Sequence, residues 1–302
     1  MKPKITIGVC VKDSEKYIAE AILSISSQDF PHELLEVIFV DDGSKDKTFS
    51  IIKRHAQQID MRVKVFRQTW KGLGAARNIV VDNAEGDYIL WVDGDMTLSS
   101  DYIRRQVEFM EKNPKVGIAK GIYALTPGPN CLATLEIYSR AVSKMVDFNY
   151  KNQTRAKSMG TGGCIYRTRA IKQAGGFDIG LTGYGEDFDA EYKIRSAGWV
   201  LSTTNAYFRD YERHGLTSQE LWTRYLRRGH DSYYFQHKNK DLLRIYSMLP
   251  PIAFATGLLH SFKVYKLTGQ STAFLLPLHY TLKNTAWTVG YIKTRMNART
   301  MR

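Results

Sequence analysis

Cysteine is scarce in this chain, with three among 302 residues. Cys10, Cys131 and Cys164 are scattered and odd in number, which excludes a disulfide framework and a cysteine-based zinc site and fits a reducing compartment. Long uninterrupted apolar runs are also missing. The two most apolar stretches, Met248–Leu259 and Ala273–Ile292, are broken by or bordered by Pro250, Pro251, His260, Lys263, Pro277, His279, Lys283 and Asn284. Neither is a clean spanning segment of about 20 residues. The N-terminus, Met1-Lys2-Pro3-Lys4, lacks a signal-peptide layout, so the first 240 residues are expected to be soluble and cytosolic. Neither a Walker motif nor a dinucleotide Gly-x-Gly-x-x-Gly fingerprint is present. Acidic residues stop altogether after Asp241.

Basic residues are abundant. Forty-three Lys/Arg against 30 Asp/Glu give a formal charge of +13, and residues 201–302 carry 15 Lys/Arg against 5 Asp/Glu. Such a tail suits phosphorylated substrates or an anionic membrane. Nucleic acid is not expected as a partner, because the basicity is concentrated near apolar segments and no nucleic-acid motif accompanies it.

Periodicity indicates an α/β fold. Strand-like runs at Ile5–Val11, Leu35–Val40, Val63–Phe66 and Tyr88–Val92 alternate with helical patterns, of which Tyr17–Ile25 and Leu73–Ala84 are the clearest. This alternation predicts a mostly parallel sheet covered by helices. Later segments are less regular, with short strands expected at Val116–Lys120, Cys164–Tyr166 and Trp199–Ser202, and helices at Leu132–Val146, Phe188–Ala197 and Ser218–Gln236. Residues 1–240 are expected to form the principal α/β domain and 241–302 a basic, apolar helical extension or hairpin.

Ligands of parallel sheets collect beyond the carboxyl ends of strands, where Asp13, Asp41, Asp42, Asp93 and Asp95 fall. Asp93-Gly94-Asp95 closes a buried-looking strand, and its like charges repel unless a hard cation such as Mg²⁺ or Mn²⁺ accompanies them. Asp41 and Asp42 could accept hydrogen bonds from a nucleobase or ribose, and Ser44 or Asp46 could cap the next helix. Arg77, at the start of a helix, could pair with an acidic strand end or a diphosphate. Gly160-Thr161-Gly162-Gly163 would allow a ligand close approach. In Gly183-Tyr184-Gly185-Glu186-Asp187-Phe188-Asp189, one carboxylate could take a proton from an incoming hydroxyl. Trp222, Tyr225, Tyr233 and Tyr234 offer either packing or a sugar platform. Arg224, Arg227 and Arg228 form a basic surface suited to a diphosphate or an anionic lipid headgroup.

In this order, Asp13, Val40-Asp41-Asp42-Gly43-Ser44, Gly74-Ala75-Ala76-Arg77-Asn78, Asp93-Gly94-Asp95 and Gly185-Glu186-Asp187 resemble the family 2 glycosyltransferases of the GT-A fold. The resemblance implies inverting transfer of one sugar from a nucleotide diphosphate sugar. It places Asp13, Asp41, Asp42, Arg77 and Asp93 at the donor, and Asp93, Asp95 and His214 at a Mn²⁺ or Mg²⁺ ion. Asp187 becomes the general base, with Gly162, Gly163, Glu186 and Trp222 on the acceptor side. The acceptor would be a lipid-linked saccharide, a polysaccharide or a polyprenyl phosphate. Val11-Lys12-Asp13 departs from the commoner Pro-x-Tyr-Asn form, and the Gln-x-x-Arg-Trp signature of processive synthases is absent. A noncatalytic glycan-binding or assembly protein is the alternative. The C-terminal region is expected to hold the protein to the cytoplasmic side of an anionic membrane, peripherally or shallowly inserted, the alternative being a pair of core helices packed on the body of the protein.

Overall fold

A computed structural model describes residues 2–144, 159–182, 185–210, 216–238 and 245–300. Its centre is an eight-stranded sheet in the order β3-β2-β1-β4-β7-β6-β8-β5. The strands are β1 (Ile5–Val11), β2 (Leu35–Asp42), β3 (Arg62–Gln68), β4 (Tyr88–Trp91), β5 (Met96–Leu98), β6 (Val116–Tyr123), β7 (Cys164–Arg167) and β8 (Val200–Asp210). The first half is parallel as expected, with β1 flanked by β2 and β4. The second half mixes directions, and only β6 and β8 pair in parallel there. β7 runs antiparallel to both β4 and β6, and β5 antiparallel to β8, so the sheet is mixed rather than mostly parallel.

Helices α1 (Ile18–Ser26), α2 (Thr48–Ala56), α3 (Leu73–Asn83), α4 (Tyr102–Lys112), α6 (Thr168–Gln173) and α7 (Glu186–Ser196) accompany the sheet. The alternating faces of each strand feed two cores. Ile5, Ile7 and Val9 of β1 meet Ile18, Ile22 and Ile25 of α1, whereas Ile38, Val40, Ile89 and Trp91 join Val80 and Val81 of α3. This two-sided burial is why β2 is apolar at nearly every position before its terminal carboxylates.

Four more elements form a helical cap: α5 (Cys131–Lys144), α8 (Ser218–Lys238), α9 (Pro250–Thr268) and α10 (Leu276–Thr300). Leu135, Tyr138 and Val142 of α5 pack with Ala253 and Val264 of α9 and Tyr280 of α10. Leu221 and Tyr225 of α8 pack with Ala286, Trp287 and Tyr291 of α10. The boundary expected at 240/241 falls outside the described residues, yet helices on its two sides share one core. Glu136, fully buried in α5, fastens that core. His279 Nε2 lies 2.9 Å from its Oε2 and Tyr225 Oη donates to its Oε1 at 3.2 Å, with Arg140 and Lys283 at 3.3 and 3.4 Å.

Candidate active site

The carboxyl ends of β1, β2 and β4 lie side by side and carry the acidic motifs. Asp13 adopts a left-handed conformation (φ 50°) just beyond β1. Its N–H donates to Ser44 Oγ at 2.9 Å, and its Oδ1 accepts from the Lys45 N–H at 2.8 Å. Asp46 accepts from the N–H groups of Glu15 and Thr48, while Thr48 Oγ1 accepts from the Ser14 N–H. The helix cap expected of Ser44 or Asp46 is therefore partly a loop-to-loop clamp, and Lys47 holds the N-cap position. These bonds zip the loop after β1 to the loop after β2.

Asp42 shapes the same rim. Its carboxylate accepts from Gln68 Nε2 (2.8 Å), Lys71 N–H (2.9 Å) and Gly72 N–H (3.0 Å). Buried Asp41 pairs with Arg67 Nε at 3.1 Å and accepts from the Ser44 N–H at 3.2 Å. Their partners Ser44, Arg67 and Gln68 line a cavity of about 680 Å³, together with Lys12, Lys45 and Trp70, among others. Trp70 is 57% exposed, with the Lys12 ammonium 5.0 Å from its ring centroid. Sequence reasoning missed Lys12, Arg67 and Trp70. The available signal was a large aromatic immediately before Lys71-Gly72, just past the carboxyl end of β3.

Asp93 and Asp95, both partly buried, stand on the turn between β4 and β5, closed by the Met96 N–H donating to the Asp93 carbonyl at 3.0 Å. Gly162 packs directly on this turn, where a Cβ would collide with Asp93 Oδ2. Gly163 uses its backbone inside the fold, donating to the Trp91 carbonyl and accepting from the Gly121 N–H and Tyr102 Oη. Of the two glycines expected at an acceptor, Gly163 is thus accounted for by joining β4, β6 and β7. From behind, buried Lys120 donates to the Gly162 carbonyl at 2.5 Å and more distantly to that of Gly160. On the other side, Glu191 accepts from the Met159 and Gly160 N–H groups at 3.0 and 2.9 Å. The glycine loop is clamped from two directions against Asp93.

Arg77 links this turn to α7. The Arg77 guanidinium, almost wholly buried, donates to Glu186 Oε1 at 2.5 Å. Burial opposes its charge, but Glu186, Asp187 and Asp93 outweigh burial and raise its pKa. Burial, then the neighbouring Asp187 charge, pushes the Glu186 carboxyl up to about 7 despite Arg77. Glu186, expected at the acceptor, thus spends one oxygen on Arg77, and Arg77, expected at the donor, spends its charge largely on the carboxylates. Asp187 is only partly buried, in the first turn of α7, where the helix dipole favours an anion. Its Oδ1 accepts the Phe188 N–H at 2.8 Å. The structure thereby assembles Arg77, Asp93, Glu186 and Asp187 from three distant motifs.

Hard carboxylate oxygens at an open strand end fit Mg²⁺ or Mn²⁺ with substrate oxygens completing the shell. The side-chain-free cradle at Gly162 also leaves Asp93 room to sit there. Among the described residues, no three His, Cys, Asp or Glu side chains converge as a ready-made cation site. His214, the expected third metal-associated residue, lies outside the described residues, as do Gly183 and Tyr184.

A family model described as glycosyl transferase family 2 matches residues 6–174, more than half of the chain. The chain belongs to glycosyltransferase family 2. Over 110 residues it is 32% identical to the poly(ribitol-phosphate) beta-N-acetylglucosaminyltransferase TarS of Staphylococcus aureus, a match covering 36% of this chain and 19% of that protein. Over 123 residues it is 39% identical to an uncharacterized glycosyltransferase of Haemophilus influenzae, covering 40% and 48% respectively. The matches thus span less than half the length of these relatives. The fold is shared with the mannosyltransferase PcManGT of Pyrobaculum calidifontis, solved with GDP-Man and Mn²⁺, at a TM-score of 0.66 and 18% identity over 98% of this chain and 88% of that one. TarS 1–349 in complex with UDP-GlcNAc aligns at a TM-score of 0.53 and 17% identity, covering 97% and 92%.

In this member of the family, α8 carries the remaining expected residues. Trp222, expected at the acceptor, is half-buried against the core formed by α8 and α10. On another side of α8, Arg224, Arg227 and Arg228, with Glu220 and Asp231, line an open cavity of about 610 Å³. Burial first, then the charges of Arg140 and Arg228, lowers the Arg224 pKa against the pull of Glu136.

Proposed function

We propose that this family 2 glycosyltransferase moves one sugar from a nucleoside diphosphate sugar to an acceptor hydroxyl with inversion at the anomeric carbon. The observation that carries this reading is the convergence of the Asp93 turn and Asp187 around Arg77. It supports a donor site and a proton acceptor on opposite sides of one reacting carbon. The nucleobase and ribose would occupy the cavity lined by Lys12, Arg67 and Trp70, whose walls Asp13, Asp41 and Asp42 hold through Lys45, Ser44, Arg67 and Gln68. Asp93 and Asp95 would hold Mn²⁺ or Mg²⁺, which when bound neutralises charge on a departing diphosphate.

Asp187 takes the proton of the acceptor hydroxyl as its oxygen bonds to the anomeric carbon. The glycosidic bond to the diphosphate breaks on the opposite face, and the nucleoside diphosphate leaves with that electron pair. Arg77 orients the carboxylates, because its guanidinium pairs with Glu186 while its field reaches Asp187 and Asp93. The acceptor is a saccharide or a lipid-linked, polymeric or polyprenyl phosphate chain. The arginine-lined cavity on α8 offers charge for an acceptor bearing phosphate, a chemistry named in the TarS relative's own description. The reaction is placed at the cytoplasmic side of a membrane, with the C-terminal helices holding the protein peripherally.

Donor binding and single-turnover transfer of Asp187→Asn and Asp95→Asn test the reading against a donor and acceptor panel with Mn²⁺ or Mg²⁺. Asp187→Asn should retain donor affinity and lose roughly 10²–10⁴-fold in the transfer rate. Equal single-turnover rates for wild type and Asp187→Asn would reject the base. Donor binding with no turnover on any acceptor would favour a noncatalytic glycan-binding or assembly role.

A further inference from the structure

Helix α9 is built inside out. Its buried stripe, Ala253, Gly257, Ser261 and Val264, recurs at helical spacing and consists of small or modest side chains. Gly257 rides on the backbone of Pro277, where a Cβ would come within 2.7 Å of the Pro277 Cα. The large apolar residues point the other way. Leu259 is 72% exposed and Phe262 60%, with Phe254, Leu258 and Leu267 also exposed. A helix packing on a soluble core places its large apolar residues inward and polar residues outward. Small residues inward and large apolar residues outward are the arrangement of a helix whose outer face meets lipid.

The exposure continues past the end of α9. Phe274 and Leu275 belong to the short 3-10 turn Ser271–Leu275, and Leu278, 63% exposed, lies in the first turn of α10. Among the described residues, no helix is long and apolar enough to cross a membrane. An apolar face without a spanning length suits a helix lying in the plane of the interface. Charge indicates what covers the face. Lys263 and Lys266 border Phe262 and Leu267, and no acidic residue occurs after Asp241. A second copy docked face to face by a two-fold axis would bring the Lys263 and Lys266 charges of both copies toward one another, like sign against like sign. Anionic headgroups carry charge of the opposite sign.

We propose that α9, the Ser271–Leu275 turn and the first turn of α10 form a wedge that lies in the surface of an anionic bilayer. Its Leu and Phe side chains enter the headgroup–acyl boundary, and Lys263 and Lys266 meet the headgroups. The wedge rests on the peripheral membrane placement of the transferase and assigns it to specific side chains.

Flotation of the full chain with phosphatidylcholine vesicles, with and without phosphatidylglycerol, tests both levels. The wild type should float with the anionic vesicles. Leu259→Glu/Phe262→Glu should lose at least about tenfold in partitioning. Both substituted positions point to solvent, so the variant should keep the wild-type melting temperature and donor affinity. Lys263→Gln/Lys266→Gln should weaken binding to anionic vesicles selectively, and salt should do the same to the wild type. Undiminished flotation of Leu259→Glu/Phe262→Glu would overturn the wedge while leaving membrane placement intact. Failure of the wild type to float with either vesicle would overturn both. A concentration-dependent dimer in sedimentation, dissociated by Leu259→Glu/Phe262→Glu, would also overturn the wedge by assigning the face to a second copy.

Discussion

Glu186 Oε1 lies 2.5 Å from the guanidinium of Arg77, across 109 residues of sequence and with both side chains nearly excluded from solvent. The contact joins the start of α3 to the start of α7. Removing one partner of a buried ion pair costs about 3–5 kcal/mol because the other charge stays buried and uncompensated. Arg77→Met should therefore destabilise the protein by that order, and Arg77→Met/Glu186→Leu by clearly less than the two single changes together. Urea denaturation of the four proteins of the cycle measures the coupling.

The same pair predicts a pH dependence. The Glu186 pKa in the folded protein is raised to about 7 from an ordinary 4.5, chiefly by burial and then by Asp187. The unfolded chain therefore ionises Glu186 more readily than the folded one. The stability associated with its protonated form is full below about 4.5 and is lost as pH rises through 7. Across pH 5 to 8, the melting temperature of wild type should fall relative to Glu186→Gln. Parallel curves for the two proteins would contradict the shift.

Gly162→Ala should disturb chemistry without unfolding the protein. The new Cβ meets Asp93 Oδ2 and must displace that carboxylate or the glycine loop held by Lys120 and Glu191. A displacement of about 1 Å at a reacting site can cost on the order of 10²-fold in rate. Single-turnover transfer should fall by that order while the circular dichroism spectrum is retained.

Trp70→Ala should act on donor binding. If the nucleobase stacks on the exposed indole, its loss removes about 1–3 kcal/mol, which corresponds to roughly 5- to 150-fold in donor affinity. Calorimetric titration with the donor measures the change, and Trp70→Phe should recover most of it. The transfer rate at saturating donor should stay near wild type.

The helical cap should be the acid-sensitive part of the molecule. Burial holds the His279 pKa below its ordinary 6.5, against the pull of Glu136, so its stabilising contribution is present above 6.5 and declines as pH falls below it. Glu136 is held well below 4.5, with Lys283 the main stabilising charge opposing burial, and adds a second loss under more acidic conditions. Hydrogen exchange of α5, α8 and α10 from pH 7 to pH 5 should show faster opening there than in β1 and β2.

Much of this architecture was legible in the sequence because the parallel half of the sheet is buried on both faces. Ile5–Val11 was read at its observed bounds, and the acidic motifs fell at strand ends as expected. The mixed half was not legible. β5 has only three residues, and β8 continues to Asp210 through Thr203, Thr204 and Asn205, whose composition gives a weak strand signal. The individual carboxylates were recognisable, but the Arg77–Glu186 pair was not, since nothing local to either residue names its partner. Trp70 escaped notice for a related reason: its exposure depends on the turn held by Asp42. On α9 the apolar residues were visible in sequence, while the direction in which they point was not.

Glu136 has a practical consequence for handling the protein. Its partners come from α8 and α10 as well as from its own helix, so a chain cut near Asp241 would lose His279 and Lys283 and leave the carboxylate beside a stripped apolar surface. The C-terminal helices are structural staves of the fold. Shortened versions made to improve solubility should instead aggregate, and exchanging surface residues on the intact chain is the sounder route to a tractable protein.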